Sequence, residues 1–336
     1  MTVSSAPGKI ILFGEHAVVY GRPALAVPVT QVHADVEILA SDRPGIWIAA
    51  PDIALHSDLN SLPSDHPIAA VIHNFLFLSR TSFSPAGRGA EEEGSFPNLS
   101  IKITSTIPVA SGLGSGAAVT VALVRALSSH LDYPMSDEEV NAFAYEIEKL
   151  HHGTPSGIDN TVVTYGKPVY FVKSPPSPAR GGAGGEVETF TVGTPFTIVI
   201  GDTGLPAPTR DSVGDVRKLW EAEKERWEGV FDEIGEIAKQ ARNAIERGRT
   251  KELGGLMNQN HVLLQEMTVS SPELDRLVET ARTAGALGAK LSGGGRGGNM
   301  IALVEPEKAD SVASSLMNAG AKRVIVTAVG RRSNAP

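Results

Sequence analysis

The sequence predicts an α+β protein of two domains, and three observations carry that prediction. Stretches with a period-two alternation of apolar and polar residues, such as Leu99 to Thr104 (LSIKIT), are interleaved with apolar or amphipathic stretches at helical spacing. The chain has 336 residues, enough for two domains at roughly 150 residues each. After a Pro/Gly-rich stretch from Ser174 to Gly185 (SPPSPARGGAGG), the order is strand, helices, strand, helix, strand. That order describes a C-terminal α+β domain with an antiparallel sheet, in the ferredoxin-like manner. The expected division is 1–185 and 186–336.

Composition narrows the function. A content of 41% hydrophobic and 20% charged residues is that of a soluble globular protein. With 38 acidic against 30 basic side chains the net charge is −8, so no basic surplus exists to neutralise nucleic-acid phosphates or an anionic membrane. The absence of cysteine excludes disulfides and thiolate metal sites. No secretory signal and no membrane-spanning apolar run is read, which makes the cytoplasm the expected location.

Taken in order, residues 2–38 read as two strands around a Gly-Glu-His turn, then an alternating strand from Thr30 to Leu39. Asp65 to Ser79 reads as a helix, and the stretch to Pro97, rich in Gly, Ser, Pro and charge, as an exposed loop. Beyond the LSIKIT strand, Ala117 to Leu127 reads as an apolar helix. Ser136 and Glu139 form a capping box for a helix ending at HHG. TPSGIDN then reads as a loop returning to strand-like residues up to Val172. Phe196 to Asp202 is a strand and TGLPAPTRDSVG a loop; Asp215 to Glu246 is one long amphipathic helix, followed by helices near Thr250 to Glu266 and Pro272 to Ala284. The glycine-rich turn Lys290 to Gly298 precedes the strand NMIALV, a helix from Pro306 to Ala319 and the strand RVIVTAV.

The segment with the clearest chemistry is Pro108 to Ala118 (PVASGLGSGAA), placed between a strand and a helix. A small-residue loop feeding a helix N-terminus presents unpaired N–H groups and a positive dipole end, a natural phosphate site. GLGSGA also satisfies the dinucleotide pattern G-x-G-x-x-G/A, as does the turn near Gly293. A capped structural turn is a further reading.

Other candidates are charged or polar residues set among apolar ones. Lys9 and Glu15 flank IILFG; each reads either as half of a buried ion pair or, for Lys9, as a point charge for a phosphate or carboxylate. His16 is a turn residue or a substrate contact. Glu148 lies near a helix C-terminus, where the dipole disfavours a carboxylate and a cation would be welcome. Ser156 and Asp159 share a Pro/Gly turn, where an aspartate is either a cap or a reactive group.

The order of SAPGKIILFGEHAVVYG, PVASGLGSGAA, EKLHHGTPSGIDN and KLSGGGRGG is more specific than any one of them. It resembles the superfamily of galactokinase, homoserine kinase, mevalonate kinase and phosphomevalonate kinase, and its first and third strings are most similar to the mevalonate kinase branch. The resemblance runs from about Ala6 to Val329 and implies ATP bound in a cleft between two domains, the first holding nucleotide and substrate. It implies transfer of the γ-phosphoryl group of ATP to the C5 hydroxyl of (R)-mevalonate, with phosphomevalonate or homoserine as the alternative acceptor.

By the same resemblance Pro108, Val109, Ala110, Ser111, Gly112, Leu113, Gly114, Ser115, Gly116, Ala117 and Ala118 form the nucleotide segment. Within it Gly112 to Gly116 cradle the phosphates. Glu148, with Ser115, would hold Mg²⁺; Asp159 would be the general base, and Lys9 would steady developing charge. Glu15, His16 and Ser156 would contact the substrate or organise Lys9, Thr209 would serve the substrate from a loop near the phosphoryl group, and Gly293 to Gly298 would floor the cleft. A homodimer is also implied. One departure is visible: the resemblance places a second serine, a magnesium ligand, where this chain has Gly116.

Overall fold

A computed structural model describes residues 1–82, 98–108, 111–152, 155–173, 185–207 and 209–330. Most of the loop expected up to Pro97 and nearly all of the Ser174 to Gly185 stretch lie outside the described residues, as do Val109 and Ala110.

The first half is built on β1 (Thr2–Phe13) and the 18-residue β2 (Pro23–Ala40), paired antiparallel from Thr2↔Ile38 to Phe13↔Leu25. The turn between them holds a short 3-10 helix (Ala17–Tyr20), and β2 runs unbroken where two separate strands were expected. Its continuity has a physical cause: β2 pairs with β6 (Val169–Lys173) along Pro23 to Ala26 and with β5 (Leu99–Ser105) along Ala34 to Ala40. With β3 (Ile46–Ala50), β4 (Leu55–Asp58) and β7 (Gly185–Thr189), the sheet order is β4-β3-β5-β2-β6-β7, with β1 on β2. β7 therefore belongs to the first sheet.

Helices α1 (Pro67–Ser82), α2 (Ser115–His130), α3 (Asp137–His152) and α4 (Ile158–Tyr165) accompany this sheet, with α2 packed on β1 and β2. α3 starts at its capping box: Glu139 N donates to Ser136 Oγ at 3.3 Å, and Ser136 N to Glu139 Oε2 at 2.7 Å. The expected loop after TPSG is instead α4, despite its β-branched run. Thr161 Oγ1 donates back to Gly157 O at 2.7 Å and Asn160 Nδ2 to Asn141 Oδ1 at 2.7 Å, while Val162 and Val163 are buried. Packing on α2 and α3 overrides a weak local preference.

The second half follows as β8 (Phe196–Asp202), α5 (Thr209–Ala222), α6 (Lys224–Glu246), α7 (Glu252–Glu266), α8 (Pro272–Thr283), β9 (Gly288–Ser292), β10 (Asn299–Val304), α9 (Ala309–Asn318) and β11 (Arg323–Val329). Its antiparallel sheet runs β11-β8-β10-β9, the fourth, first, third and second strands of the unit, which is the ferredoxin-like arrangement. The long helix expected from Asp215 is two helices broken at Glu223 (φ −136°). Neither Gly nor Pro marks the break, and the apolar periodicity carries across it because α5 and α6 pack against each other. Thr209 and Arg210 open α5 where a loop was expected, and β9 adds a strand ahead of the second glycine turn.

Most buried apolar residues of both sheets form one contiguous core, a smaller separate cluster gathers Ala24 and Ala26 of β2 with Val169 and Phe171 of β6 and with α4, and β11 packs against β2. α6 is fastened to the first half by Arg22, bonded to Glu228 and to Asp232, and by Arg242, which grips both oxygens of Glu188 at 2.6 and 2.7 Å. Among the described residues no helix is long and apolar enough to cross a membrane.

β9 is held tightly against α7. A Cβ on Gly288 would lie 2.0 Å from the Gly254 carbonyl oxygen, a backbone atom that cannot swing aside. Gly288→Ala is therefore expected to cost about 1–3 kcal/mol through overpacking, read as a lower urea midpoint at unchanged m-value.

Candidate active site

The glycine loop and the helix it feeds are shaped by backbone requirements. Gly112 and Gly114 have φ of 77° and 76°, left-handed values that favour glycine, and Gly114 is the residue at the N-terminal boundary of α2. Ser111, Leu113, Ala117 and Ala118 point into the protein and are buried, whereas Gly112 and Gly116 are exposed and Gly114 and Ser115 half-buried. The open part of Pro108 to Ala118 is thus the backbone from Gly112 to Gly116 at the positive end of a 16-residue helix. Ser111 Oγ donates to Pro108 O at 2.8 Å, closing the loop on itself.

Lys9 runs directly beneath this loop. Its backbone N donates to Leu113 O at 2.9 Å, and a Cβ on Gly114 would lie 2.8 Å from Lys9 Cγ, so only glycine lets the loop rest on the lysine stem. The ammonium emerges 3.0 Å from Asp159 Oδ1, with the two side chains 6% and 37% exposed. Asp159 stands in the first turn of α4, after Gly157 at φ 85°; Ser156 Oγ accepts from Ile158 N at 3.3 Å and so caps that turn.

Glu148 comes to the same place from α3. A Cβ at Gly116 would be 3.6 Å from Glu148 Oε1, so the carboxylate faces the first turn of α2. One half-buried carboxylate beside exposed N–H groups fits Mg²⁺, which takes one or two carboxylates and completes its shell with phosphate oxygens and water. Among the described residues no cluster of three or more acidic or histidine side chains gathers for a metal.

The C-terminal half closes the other side. Gly298 N donates to Leu205 O at 3.0 Å, and Gly298 O accepts from Thr203 N at 2.9 Å. Asn299 Nδ2 donates to Ser111 O at 2.5 Å, tying the second glycine turn to the first. Arg296, at φ 58°, reaches Asp215 Oδ2 on α5 at 2.6 Å; Lys218 and Arg296 together pull the exposed Asp215 carboxyl down to about 2. Thr209 begins α5, and its side chain lies outside the described ones.

Glu15 does not pair with Lys9. Its Oε1 is bonded to Lys290 Nζ, both side chains being 0% exposed, and its Oε2 has no hydrogen-bond partner among the described residues. Its neighbour His16, at φ 61°, places Nε2 3.1 Å from Gly294 O. A carbonyl only accepts, so Nε2 carries the proton. Burial pushes the imidazole down to about 4 against the pull of that bond, with the Arg296 and Lys290 cations adding to the effect. His16 is therefore neutral at pH 7, and its buried Nδ1 is a bare acceptor without a protein partner among the described residues.

Lys290, Ser292 and Asn299 were not legible as site residues. The available signal was Lys-Leu-Ser: polar residues alternating in a strand that is buried throughout.

The comparisons agree with this geometry. Residues 84–167 match the GHMP kinases N terminal domain and residues 241–322 the GHMP kinases C terminal region. A mevalonate kinase of Pyrococcus abyssi is 37% identical, over 97% of this chain and 95% of its own. The chain belongs to the mevalonate kinase family. Among solved structures, the L. major mevalonate kinase in complex with R-mevalonate superimposes with a TM-score of 0.81 at 30% identity, covering 100% of this chain and 97% of its own. The Methanococcus jannaschii mevalonate kinase gives 0.76 at 25% identity, over 97% and 96%. Membership in this kinase family sets aside the dinucleotide reading of GLGSGA and makes ATP the nucleotide.

A neutral buried histidine leaves a mark on acid stability. Between pH 6.5 and 4 the unfolded chain binds a proton at residue 16 that the folded one does not, so stability is complete above 6.5 and falls with pH. The slope expected from His16 is about 1.4 kcal/mol per pH unit, and urea unfolding of His16→Gln across that range should be flatter than wild type by that amount.

Proposed function

We propose that this kinase transfers the γ-phosphoryl group of ATP to the C5 hydroxyl of (R)-mevalonate, giving 5-phosphomevalonate and ADP. One observation carries the assignment of roles: a single side chain, Lys9, lies under the phosphate loop and ends at Asp159. Loop and acid are thereby registered to each other through one amine.

In this reading the triphosphate lies along the N–H groups of Gly112 to Gly116, whose dipole end favours negative charge. Asp159 accepts the proton of the C5 hydroxyl as its oxygen bonds to the γ-phosphorus; the bond to the β,γ-bridging oxygen breaks and ADP carries the electron pair away. Lys9 steadies charge on the attacking and transferring oxygens. Glu148, with Ser115, would hold Mg²⁺, which when bound neutralises charge on the β and γ phosphates.

His16 supports an alcohol-bearing acceptor. Its bare Nδ1 would accept a hydrogen bond from a substrate hydroxyl, and a phosphate or carboxylate oxygen could not donate there. Ser156 acts on the substrate side through its cap on α4, and Thr209 through the start of α5. Freely diffusing reactants and a cysteine-free chain support a cytoplasmic enzyme, and the family resemblance supports a homodimer.

A coupled ADP-release assay with mevalonate, phosphomevalonate, homoserine and galactose tests the acceptor; faster turnover on any of the last three would overturn the choice. Asp159→Asn should keep the fold and ATP affinity while lowering turnover by about 10² to 10⁴, and wild-type turnover in that variant would remove Asp159 as base. Gly116→Ser puts a hydroxyl beside Glu148 Oε1. It should tighten Mn²⁺ binding to the nucleotide complex, read by electron paramagnetic resonance, with the mevalonate KM unchanged.

A further inference from the structure

Alternate residues of β9 and of the turn after it reach across to the end of β1. Lys290 bonds Glu15, Ser292 Oγ donates to Ile11 O at 2.7 Å, and Gly294 O accepts from His16. The interval is two residues, the period of a strand. Ala289 and Leu291 belong to the apolar core, so the polar side of an otherwise buried strand is turned to the segment that carries His16.

Stability does not account for the Glu15–Lys290 pair. Desolvating two charges costs about what their attraction returns, and apolar residues of the same volume often serve as well. Here burial pushes the Lys290 ammonium below its ordinary value while Glu15 holds it up, and Glu15 Oε2 still goes without a partner among the described residues. What the pair supplies is position. Lys290 is held a second time, by its own neighbour Leu291 O at 2.6 Å, so it is a fixed anchor. Glu15 is joined by one peptide bond to His16, whose φ of 61° is unfavourable for a residue with a Cβ and persists only where the surroundings enforce it.

We infer that Lys290 is a positioning residue for the acceptor substrate: by clamping Glu15 it locks the Gly14–Glu15–His16 turn against β9 and aims His16 Nδ1 at an acceptor hydroxyl. The inference rests on the reading of His16 as a mevalonate contact. It separates the two charged residues of the first motif: Lys9 serves the phosphoryl group, and Glu15 serves the alcohol through a strand some 275 residues away.

The test uses full-length protein and three variants. Lys290→Met leaves a buried carboxylate unpaired and should lower Tm; Lys290→Met combined with Glu15→Gln should regain most of that loss. In both, the mevalonate KM should rise about tenfold, with the ATP KM within about twofold and kcat little changed, the mark of lost substrate binding. Glu15→Asp keeps the charge and shortens its reach, and should raise the mevalonate KM in the same way, which carries the test if neither methionine variant folds. ¹⁵N spectra of labelled imidazole at pH 7 should show His16 as the Nε2–H tautomer in wild type and as a mixture of tautomers in the variants. Folded variants with wild-type mevalonate KM and an unchanged His16 tautomer would overturn the inference and leave the pair purely structural. If wild-type enzyme fails to phosphorylate mevalonate, the functional reading falls, and the tautomer spectra still decide whether Lys290 governs His16.

Discussion

The whole site depends on a lysine threaded through an apolar interior. Lys9 belongs to β1, its neighbours Gly8 and Ile10 are buried, and its own side chain is buried as well. A buried ammonium is tolerated only with a partner, and the partner here is the carboxylate from α4. The close approach of loop and strand needs two glycines. A Cβ on Gly8 would come within 3.1 Å of Leu113 O, and one on Gly114 would strike the stem itself. Strand, glycine loop and acid are therefore joined through one side chain.

The C-terminal half contributes by confinement more than by reactive groups. Its ferredoxin-like sheet brings β9 and β10 side by side, and the glycine turn between them fits against the 203–207 backbone on one side and Ser111 on the other. Gly297 shows how close the fit is, since a Cβ there would lie 2.5 Å from Pro206 O. Arg296 is the one bulky side chain among these glycines, and it is turned outward to Asp215 on α5, away from the two loops. The polar atoms that lack protein partners among the described residues include Glu15 Oε2, His16 Nδ1 and Asn299 Oδ1, all borne by segments that meet at this seam.

What could be read from the sequence was what local rules encode. The glycine loop was legible because positive φ restricts residue choice, the capping box because its two partners are three residues apart, and the strands β5, β8 and β10 because alternation or unbroken apolarity marks them. Lys9 and Glu15 stood out as charges among apolar residues, Glu148 as a carboxylate at a helix C-terminus and Asp159 as an acid in a Pro/Gly turn, and the resemblance in motif order suggested their roles. The remainder depended on distant partners. Glu15 reads as half of an ion pair, yet nothing near it names Lys290. The helical state of Ile158 to Tyr165 comes from Asn141 and α2, against the leaning of its own valines and threonines, and the kink at Glu223 comes from packing without a breaker residue. β9 was hidden because its five residues merge into a glycine-rich turn.

The last strand of the chain, β11, is packed against β2 near the start, within a core that both sheets share. During synthesis the first sheet therefore keeps part of its interior open until β11 has been made. Neither half made separately would own a full interior, and a polypeptide cut short of β11 would offer the uncovered face of β2 to other chains.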